Sequence, residues 1–517
     1  MNAPFLDGVA LAKPPSTRID WRPAAVSLGV GLLLLGALFN TEVETAVQTW
    51  NASTAYNHCF LVIPIALYLL WDRRADLSGI AARPMPVALL LALPVGCAWL
   101  AAERLGIMEG RQLAAVSFAE LLFLAVLGKR LWWAMAGPLL YLYFLVPFGE
   151  FLTPKLQDIT TWFIRHGLEI LGIPAFIDGY VIEIPQGTFF VAEACAGLRF
   201  LIASIAFGCL YALMMYRSPV RRGLFILVSI IVPVIANGFR GIGIVYLGYL
   251  LGSAQAAAAD HLIYGWVFFS AVILILIALG LPFRQDEIST RSASAPDGPM
   301  SSKNSARGMV TVALGIIVVA AITPALSGAL SLATPLAATL TAAATPASID
   351  VGPGCVIRTA APDTVAVRVR TQRVLCGVVA MDLAWEAFSP RITAAPLMAE
   401  RRRLVLRVAT EGLSENWLDA GGDTPSAWRI MHSNDPAFMI AVSIWVDGRP
   451  VRPGLTMRMR MAMNSLIGSA YAPMVMTVTP AVDWDALNWM DRKAAEASLP
   501  AFLLSHPELN RGLAAAE

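Results

Sequence analysis

The segment EACAGLRF, residues 193–200, places a thiol between two charged side chains at the start of an apolar run. Glu193 lies just before Cys195, and Arg199 follows it by about one helical turn. A thiolate is a strong nucleophile near neutral pH, and cationic neighbours favour thiolates over thiols. The segment therefore predicts covalent catalysis by Cys195. The alternative is structural, since a single cysteine in an apolar helix is usually a small core residue.

Two further polar residues occur in later apolar segments. Arg240 lies in ANGFRGIGI, where Asn237 and several glycines favour close helix packing and an inward-facing charge. A guanidinium stays protonated, so Arg240 could stabilise the oxyanion of a tetrahedral intermediate but could not act as a base. His261 could accept the thiol proton and return it to a leaving amine. Taken singly, each could instead be an ordinary residue at a helix end.

The composition indicates the class of protein. Of the 517 residues, 57% are hydrophobic and 14% are charged, and the mean hydropathy is +0.64. Ordinary soluble domains contain about 25% charged residues, so we expect an α-helical polytopic membrane protein. The net charge of +2 comes without a basic stripe, which argues against nucleic-acid binding.

The apolar runs also predict a topology. About eight spans plus a ninth anchor are expected, at residues 24–40, 59–71, 85–102, 112–128, 131–149, 196–216, 223–251, 262–283 and 308–328. The charged, amphipathic run 155–172 predicts an interfacial helix instead. With a cytoplasmic N-terminus, the inside segments hold fifteen Lys and Arg residues and the outside segments before the anchor hold four. The positive-inside rule selects this orientation.

This topology brings the three chemically active residues to one side of the membrane. Cys195 and His261 lie at the outer starts of their spans. Arg240 lies about 26 Å from the cytoplasmic start of its span, near the outer boundary. We therefore predict a site at the outer membrane face. A transporter would instead place its polar residues near the membrane midplane.

The chain is predicted to consist of six segments. These are a cytoplasmic N-terminal segment (1–23), a catalytic core (24–283), a flexible cytoplasmic linker (284–307), a further transmembrane helix (308–328), a spacer (329–347) and an extracytoplasmic accessory domain (348–517). The accessory domain is expected to be a soluble α+β or β-rich fold. Alternating apolar residues predict strands at 364–374 and 402–410, Asp447-Gly448 predicts a hairpin turn, and 484–505 predicts an amphipathic helix. A small hairpin is expected at 179–192.

The remaining cysteines and histidines are less specific. Cys355 and Cys376 lie in a segment expected to face an oxidising compartment, where thiols can form disulfides. The sequence is compatible with a disulfide between them and with two buried free thiols. His432 and His506 are expected to be isolated surface residues. The chain has five histidines and no H-E-x-x-H motif, which argues against a metalloprotease. No metal and no cofactor is predicted.

Several motifs, in this order, carry a resemblance to a known family. YNHCFLVIPIALYLLWDRR, GYVIEIPQGTFFVAEACAGLRFL, NGFR and HLIYGWVFF resemble segments of the exosortase and archaeosortase family of membrane cysteine transpeptidases. The resemblance covers residues 24–283. It implies a catalytic set of Cys195, Arg240 and His261, with supporting or substrate-positioning roles expected for Glu193, Arg199, Asn237 and His58. Ala196 departs from the family's usual serine, and Cys59 departs from a glycine.

The resemblance also implies a function. Such enzymes act on exported proteins at a C-terminal sorting tail, which has a short motif such as Pro-Glu-Pro, a hydrophobic helix and a basic end. Cys195 would cleave the tail through a thioester, and the acyl group would then be transferred to an acceptor or to water. The implied partners are tail-bearing proteins, membrane lipid and an acceptor. The implied location is a bacterial inner membrane, with the site and accessory domain on the periplasmic face. The alternative is a non-catalytic scaffold or transporter for envelope or polysaccharide export.

Overall fold

The computed structural model describes most of the helical part of the chain and much of the C-terminal part. The described residues are 20–77, 79–252, 261–285, 302–332, 349, 351, 354–359, 369–389, 391–406, 414–418, 428–434, 437–469, 472–484, 486–506 and 509. The predicted segments 1–23, 284–307 and 329–347 lie largely outside them. The chain divides into two units, Met1–Val95 with Gln112–Ala320, and Gly96–Arg111 with Ala321–Glu517.

Helices dominate residues 22–332, because in lipid an apolar segment must satisfy its backbone hydrogen bonds internally. In chain order they are α1 (Arg22–Leu38), α2 (Asn40–Ala52), α3 (Cys59–Asp72), α4 (Arg74–Leu77), α5 (Ala88–Leu105), α6 (Met108–Ala134), α7 (Ala136–Tyr141), α8 (Thr153–Ile170), α9 (Leu198–Met215), α10 (Pro219–Leu251), α11 (His261–Gly280) and α12 (Ser302–Leu332).

The described helices support a multi-pass membrane protein with fewer clear spans than expected. Five are long and apolar enough to cross a membrane: Ala88–Leu105, Met108–Ala134, Glu193–Met215, Pro219–Leu251 and Ala306–Leu330. The number rises to seven if α1 with α2, bent by 80°, and Ala136–Leu145 with Glu150–Ile170, bent by 69°, each form one span. Two shorter apolar helices, Cys59–Asp72 and Val267–Phe283, lie at the second and eighth predicted spans. The predicted total of eight spans plus an anchor is not confirmed.

The prediction of one span at 131–149 is wrong. Gly128 interrupts α6 with a left-handed φ of +78°, and a Cβ there would collide with the carbonyl oxygen of Arg83. After α7 a short 3-10 turn ends at Leu145. Val146 is extended, as expected for a residue before a proline, and Gly149 has a φ of +121°. Helical structure therefore stops at 146–149 and resumes in a new direction.

The helix α8, predicted to be interfacial, has one face buried in the first unit. Its buried residues are Thr153, Leu156, Gln157, Thr160, Thr161, Ile164 and Leu168. They recur every three or four positions, so they form one stripe. Part of this stripe packs on α10, where Gly241 approaches Thr160 and Ile164 closely. The charged residues that suggested an interfacial position lie on the other side of the helix.

The second unit contains an antiparallel sheet with helices on both faces. Its strands are β4 (Cys355–Thr359), β5 (Val369–Cys376), β6 (Val379–Ala387), β7 (Ser414–Trp417), β8 (Arg429–Asn434), β9 (Ala437–Val446), β10 (Arg449–Pro450) and β11 (Met474–Pro480), numbered after three strands of the first unit. Their order is β4-β5-β6-β11-β9-β8-β7, and β10 pairs with β9. The described helices are α13 (Ala394–Leu406), α14 (Leu455–Ile467) and α15 (Trp489–Ser505).

Alternate residues of the central strands pack into two separate cores. Met474 and Met476 of β11 join the core that includes Phe502 of α15, whereas Val475 joins the core that includes Met457 of α14. The side-chain period of two in a strand produces this separation. A sheet buried on both faces explains why β9 is an almost continuous apolar run.

The local predictions for this domain have mixed outcomes. The turn at Asp447-Gly448 is confirmed, since both residues have positive φ and connect β9 to β10. The helix at 484–505 is confirmed as α15, which begins at Trp489 after an Asn488 cap. The predicted strand at 402–410 is wrong over its described part, because α13 continues to Leu406. Three arginines and leucine-rich flanks favour helix there, and the alternation is too short to override them.

Candidate functional site

A small sheet leads into the segment that carries Cys195. Its strands are β1 (Phe176–Asp178), β2 (Val181–Ile184) and β3 (Gly187–Phe190), and they pair antiparallel, so the predicted hairpin is confirmed. Glu193–Cys195 then form a 3-10 turn immediately before α9. Gln157 of α8 donates to the Val191 carbonyl at 2.8 Å. This buried hydrogen bond fixes the approach of the chain to the turn.

The backbone N–H groups at Cys195 and Ala196 donate hydrogen bonds to carbonyls of the same turn. The Cys195 N–H donates to the Ala192 carbonyl at 2.8 Å, and the Ala196 N–H donates to the Glu193 carbonyl at 3.1 Å. An oxyanion hole often consists of such backbone N–H groups near the nucleophile. Both are engaged here, so stabilisation of an anion at this position would depend on side-chain cations.

Asn237 of α10 joins three elements at this site. Its Nδ2 donates to the Cys195 carbonyl at 3.0 Å and to Thr160 Oγ1 of α8, also at 3.0 Å. Its Oδ1 accepts a longer hydrogen bond from Arg240 Nη1, at 3.5 Å. Asn237 is 3% exposed, so these bonds are protected from water. One amide therefore positions both the backbone of Cys195 and the guanidinium of Arg240.

Two guanidinium groups share one aromatic ring at the start of α9. The central carbon of Arg199 lies 4.8 Å from the Phe200 ring centroid, and that of Arg240 lies 5.6 Å from it. Arg240 is within electrostatic range of both Cys195 and Arg199. Phe200 is buried and both arginines are half-buried, so the two cations are partly withdrawn from water, and their charge interactions are stronger there than in bulk solvent. The arrangement can stabilise an anion that forms near Cys195.

The helix that begins at His261 also approaches this cluster. A Cβ built on Gly265, one turn after His261, would lie 3.4 Å from Arg199 Nη2. Further along, Phe268 and Phe269 contact the Phe200 ring, with centroids 5.6 and 5.7 Å apart. The His261 side chain itself lies outside the described side chains. Its role as a proton acceptor stays a prediction.

The other predicted residues lie in different surroundings. Glu193 is exposed on the 3-10 turn. His58 lies in the turn before α3 and lines an apolar cavity of about 430 Å³, whose wall includes Leu152 and Leu201. These two leucines pack in one cluster with Ala196, the residue after Cys195. The cavity wall is therefore continuous with the nucleophile segment.

The hydrogen bonds of His58 define its tautomer. Its Nδ1 lies 3.1 Å from the Ala55 carbonyl, which can only accept, so Nδ1 carries the proton in the neutral ring. Burial lowers the pKa of His58 below its ordinary value, because desolvation disfavours the imidazolium. The Nε2 lone pair of the neutral ring then lies 3.9 Å from Cys59 Sγ, where it could accept a weak hydrogen bond from that thiol or from a polar substrate group.

Sequence reasoning missed Gln157, Thr160 and Phe200. The first two lie on α8, whose polar residues follow the same three-to-four-residue spacing as its leucines and isoleucines. That spacing was the available signal, since buried polar residues in a membrane helix usually serve a partner. Phe200 had no signal beyond its place next to Arg199. Within the described part of the first unit, no group of three His, Cys, Asp or Glu side chains has metal-binding spacing.

A comparison with protein families finds a match. The family described as transmembrane exosortase matches residues 50–278, which include Cys195, Asn237, Arg240 and His261. Comparisons with curated proteins and with solved structures gave no match.

Proposed function

We propose that this chain, whose residues 50–278 match the transmembrane exosortase family, is a cysteine transpeptidase acting on the C-terminal sorting tails of exported proteins. The observation that carries the proposal is the shared anchoring of the Cys195 backbone and Arg240 by Asn237. A transport or scaffold function does not require a thiol held near a half-buried cation.

The proposed reaction begins with attack of the Cys195 thiolate on the carbonyl carbon of the scissile peptide bond. The carbonyl oxygen becomes negatively charged, and Arg240 stabilises it. Collapse breaks the C–N bond, and a protonated group, for which we propose His261, supplies the proton to the leaving amine. The departing fragment is the hydrophobic tail, and the exported protein stays attached as a thioester. An acceptor nucleophile or water then attacks the thioester and restores the thiol.

The proposed site lies on the extracytoplasmic face. A tail whose basic end stays in the cytoplasm would present its motif at that face, because an apolar helix of about 20 residues spans the bilayer. The half-exposed Cys195 could then meet a peptide arriving from outside. The hairpin of β2 and β3 lies directly before the nucleophile and would form one border of the entrance.

Trapping of the acyl-enzyme tests the reaction class. We expect mass spectrometry of the purified chain, acid-quenched after co-expression with a tail-bearing reporter, to find the reporter's cleaved fragment on Cys195 in a hydroxylamine-sensitive bond. Cys209→Ala provides the matched control, because Cys209 lies in the same helix and should leave the adduct unchanged. An adduct that persists in Cys195→Ala, or processing without any adduct in a quench time course, would contradict the proposal.

Gly197→Ala tests the positioning of the nucleophile segment. Gly197 has a φ of +83°, and a Cβ there would lie 2.6 Å from Asn237 Cγ. The side chain of Asn237 must then move away from the Cys195 carbonyl, and we expect reporter processing to fall by about 10- to 100-fold. Gly223→Ala is the control, since its Cβ would meet no atom within 4 Å. Equal processing by both variants, at equal membrane levels, would show that Asn237 is not needed.

A further inference from the structure

Outside the exosortase segment, two cysteines and a histidine meet in the second unit. Cys355 of β4 and Cys376 of β5 are directly opposite in the strand pairing and form a disulfide. Nε2 of His506 lies 3.3 Å from Cys355 Sγ, although the two residues are 151 positions apart in sequence. The three side chains are half-buried, so solutes can reach them. The prediction that His506 is isolated is therefore wrong, because its ring contacts Cys355.

His506 is held with one nitrogen directed at the sulfur. Its Nδ1 lies 2.9 Å from the Phe502 carbonyl and 2.9 Å from Ser505 Oγ, and its ring packs on Phe502 with centroids 4.6 Å apart. The carbonyl can only accept, so Nδ1 carries the proton of the neutral ring. The Nε2 lone pair then faces Cys355. A disulfide sulfur has no proton to donate, so this lone pair gains no hydrogen bond from the oxidised pair.

We propose that Cys355 and Cys376 are a reversible redox pair whose dithiol form, together with His506, binds a thiophilic metal ion such as Zn²⁺. The three ligand atoms lie within 4.8 Å of one another. Two thiolates and an imidazole are a donor set that Zn²⁺ prefers, with a fourth position left for water or another ligand. The hydrogen bond from Nδ1 to a backbone carbonyl is the support that metal-binding histidines commonly have.

In the proposed cycle, a dithiol reduces the Cys355–Cys376 disulfide. One dithiol thiolate attacks a sulfur of the Cys355–Cys376 bond and forms a mixed disulfide, and the second thiol closes the reductant's own disulfide and releases both cysteines as thiols. The reductant loses two electrons and the protein disulfide gains them. Zn²⁺ then replaces the two thiol protons, which leave to solvent. β4 is the edge strand of the described sheet. Both the disulfide and the proposed Zn²⁺ coordination would therefore link this edge strand to β5.

Zinc binding by the full-length protein tests the proposal. The detergent-solubilised chain is reduced, freed of reductant and titrated with Zn²⁺ in competition with a chromophoric chelator. We expect His506→Ala to weaken one site by about 10-fold or more, whereas His432→Ala, the matched change in the same domain, leaves it intact. Zn²⁺ should also slow alkylation of Cys355 and Cys376 in the wild type, measured residue by residue with mass spectrometry.

Three results would overturn the proposal. The first is equal Zn²⁺ affinity of wild type and His506→Ala. The second is unchanged alkylation of the two cysteines in Zn²⁺. The third is a disulfide that stays intact when the folded protein is incubated with excess dithiothreitol. The control for loss of folding is made on His506→Ala. After oxidation, this variant should re-form the Cys355–Cys376 disulfide and keep the circular dichroism spectrum of the wild type. The experiment does not involve Cys195, so its outcome is independent of the transpeptidase reaction.

Discussion

Cys195→Ala is expected to abolish reporter processing, with a fall in rate of at least about 1,000-fold. Alanine offers no group that can form a thioester, so the covalent pathway is lost. The variant should still fold, because Asn237 binds the backbone carbonyl of residue 195 and not its side chain. The measurement is the ratio of cleaved to full-length reporter on immunoblots, normalised to the amount of enzyme in the membrane.

This experiment also separates the enzyme from the alternative functions. A scaffold or a transporter would keep its activity after loss of one thiol, so export would continue in Cys195→Ala. Cys209→Ala should process the reporter like the wild type, because that cysteine lies within α9 away from the 3-10 turn. Continued cleavage by Cys195→Ala would rule out the proposed nucleophile.

Arg240→Gln should lower the rate of processing by about 100- to 1,000-fold, the usual cost of losing an oxyanion donor. The effect is expected to be this large because the N–H groups of Cys195 and Ala196 are already engaged in the 3-10 turn. Arg240→Lys should recover part of the activity, since it keeps the charge but loses the planar fork. Processing of the reporter by purified enzyme gives the rates.

The separate changes in kcat and KM of Arg240→Gln identify the role of Arg240. Stabilisation of an oxyanion acts only in the transition state, so kcat should fall while KM stays nearly constant. Arg221→Gln is the matched control, because Arg221 lies at the other end of α10 and donates to the Phe283 carbonyl. A rise in KM at constant kcat would instead assign Arg240 to substrate binding. Equal activity of Arg240→Gln and Arg221→Gln would remove Arg240 from the site.

Features governed by neighbouring residues could be predicted from the sequence. The membrane character follows from composition, and the turn at Asp447-Gly448 follows from the positive φ that these residues tolerate. The helix at 489–505 and the hairpin before Cys195 also depend on short-range periodicity. The ordered motifs around Cys195, Arg240 and His261 pointed to the exosortase family, and the family match at residues 50–278 agrees.

Tertiary contacts decided the features that the sequence left open. Apolar composition cannot distinguish a straight span from one that bends at 146–149, because the bent pair of helices is also long and apolar enough to cross a membrane. The bonds of Asn237 to Thr160 and to Cys195 join positions 77 and 42 residues apart, and no local pattern specifies such partners. Likewise, only the pairing of β4 with β5 and the end of α15 bring Cys355, Cys376 and His506 together. Local propensity thus determined the elements and the class of protein, whereas packing between distant segments determined which polar groups became neighbours.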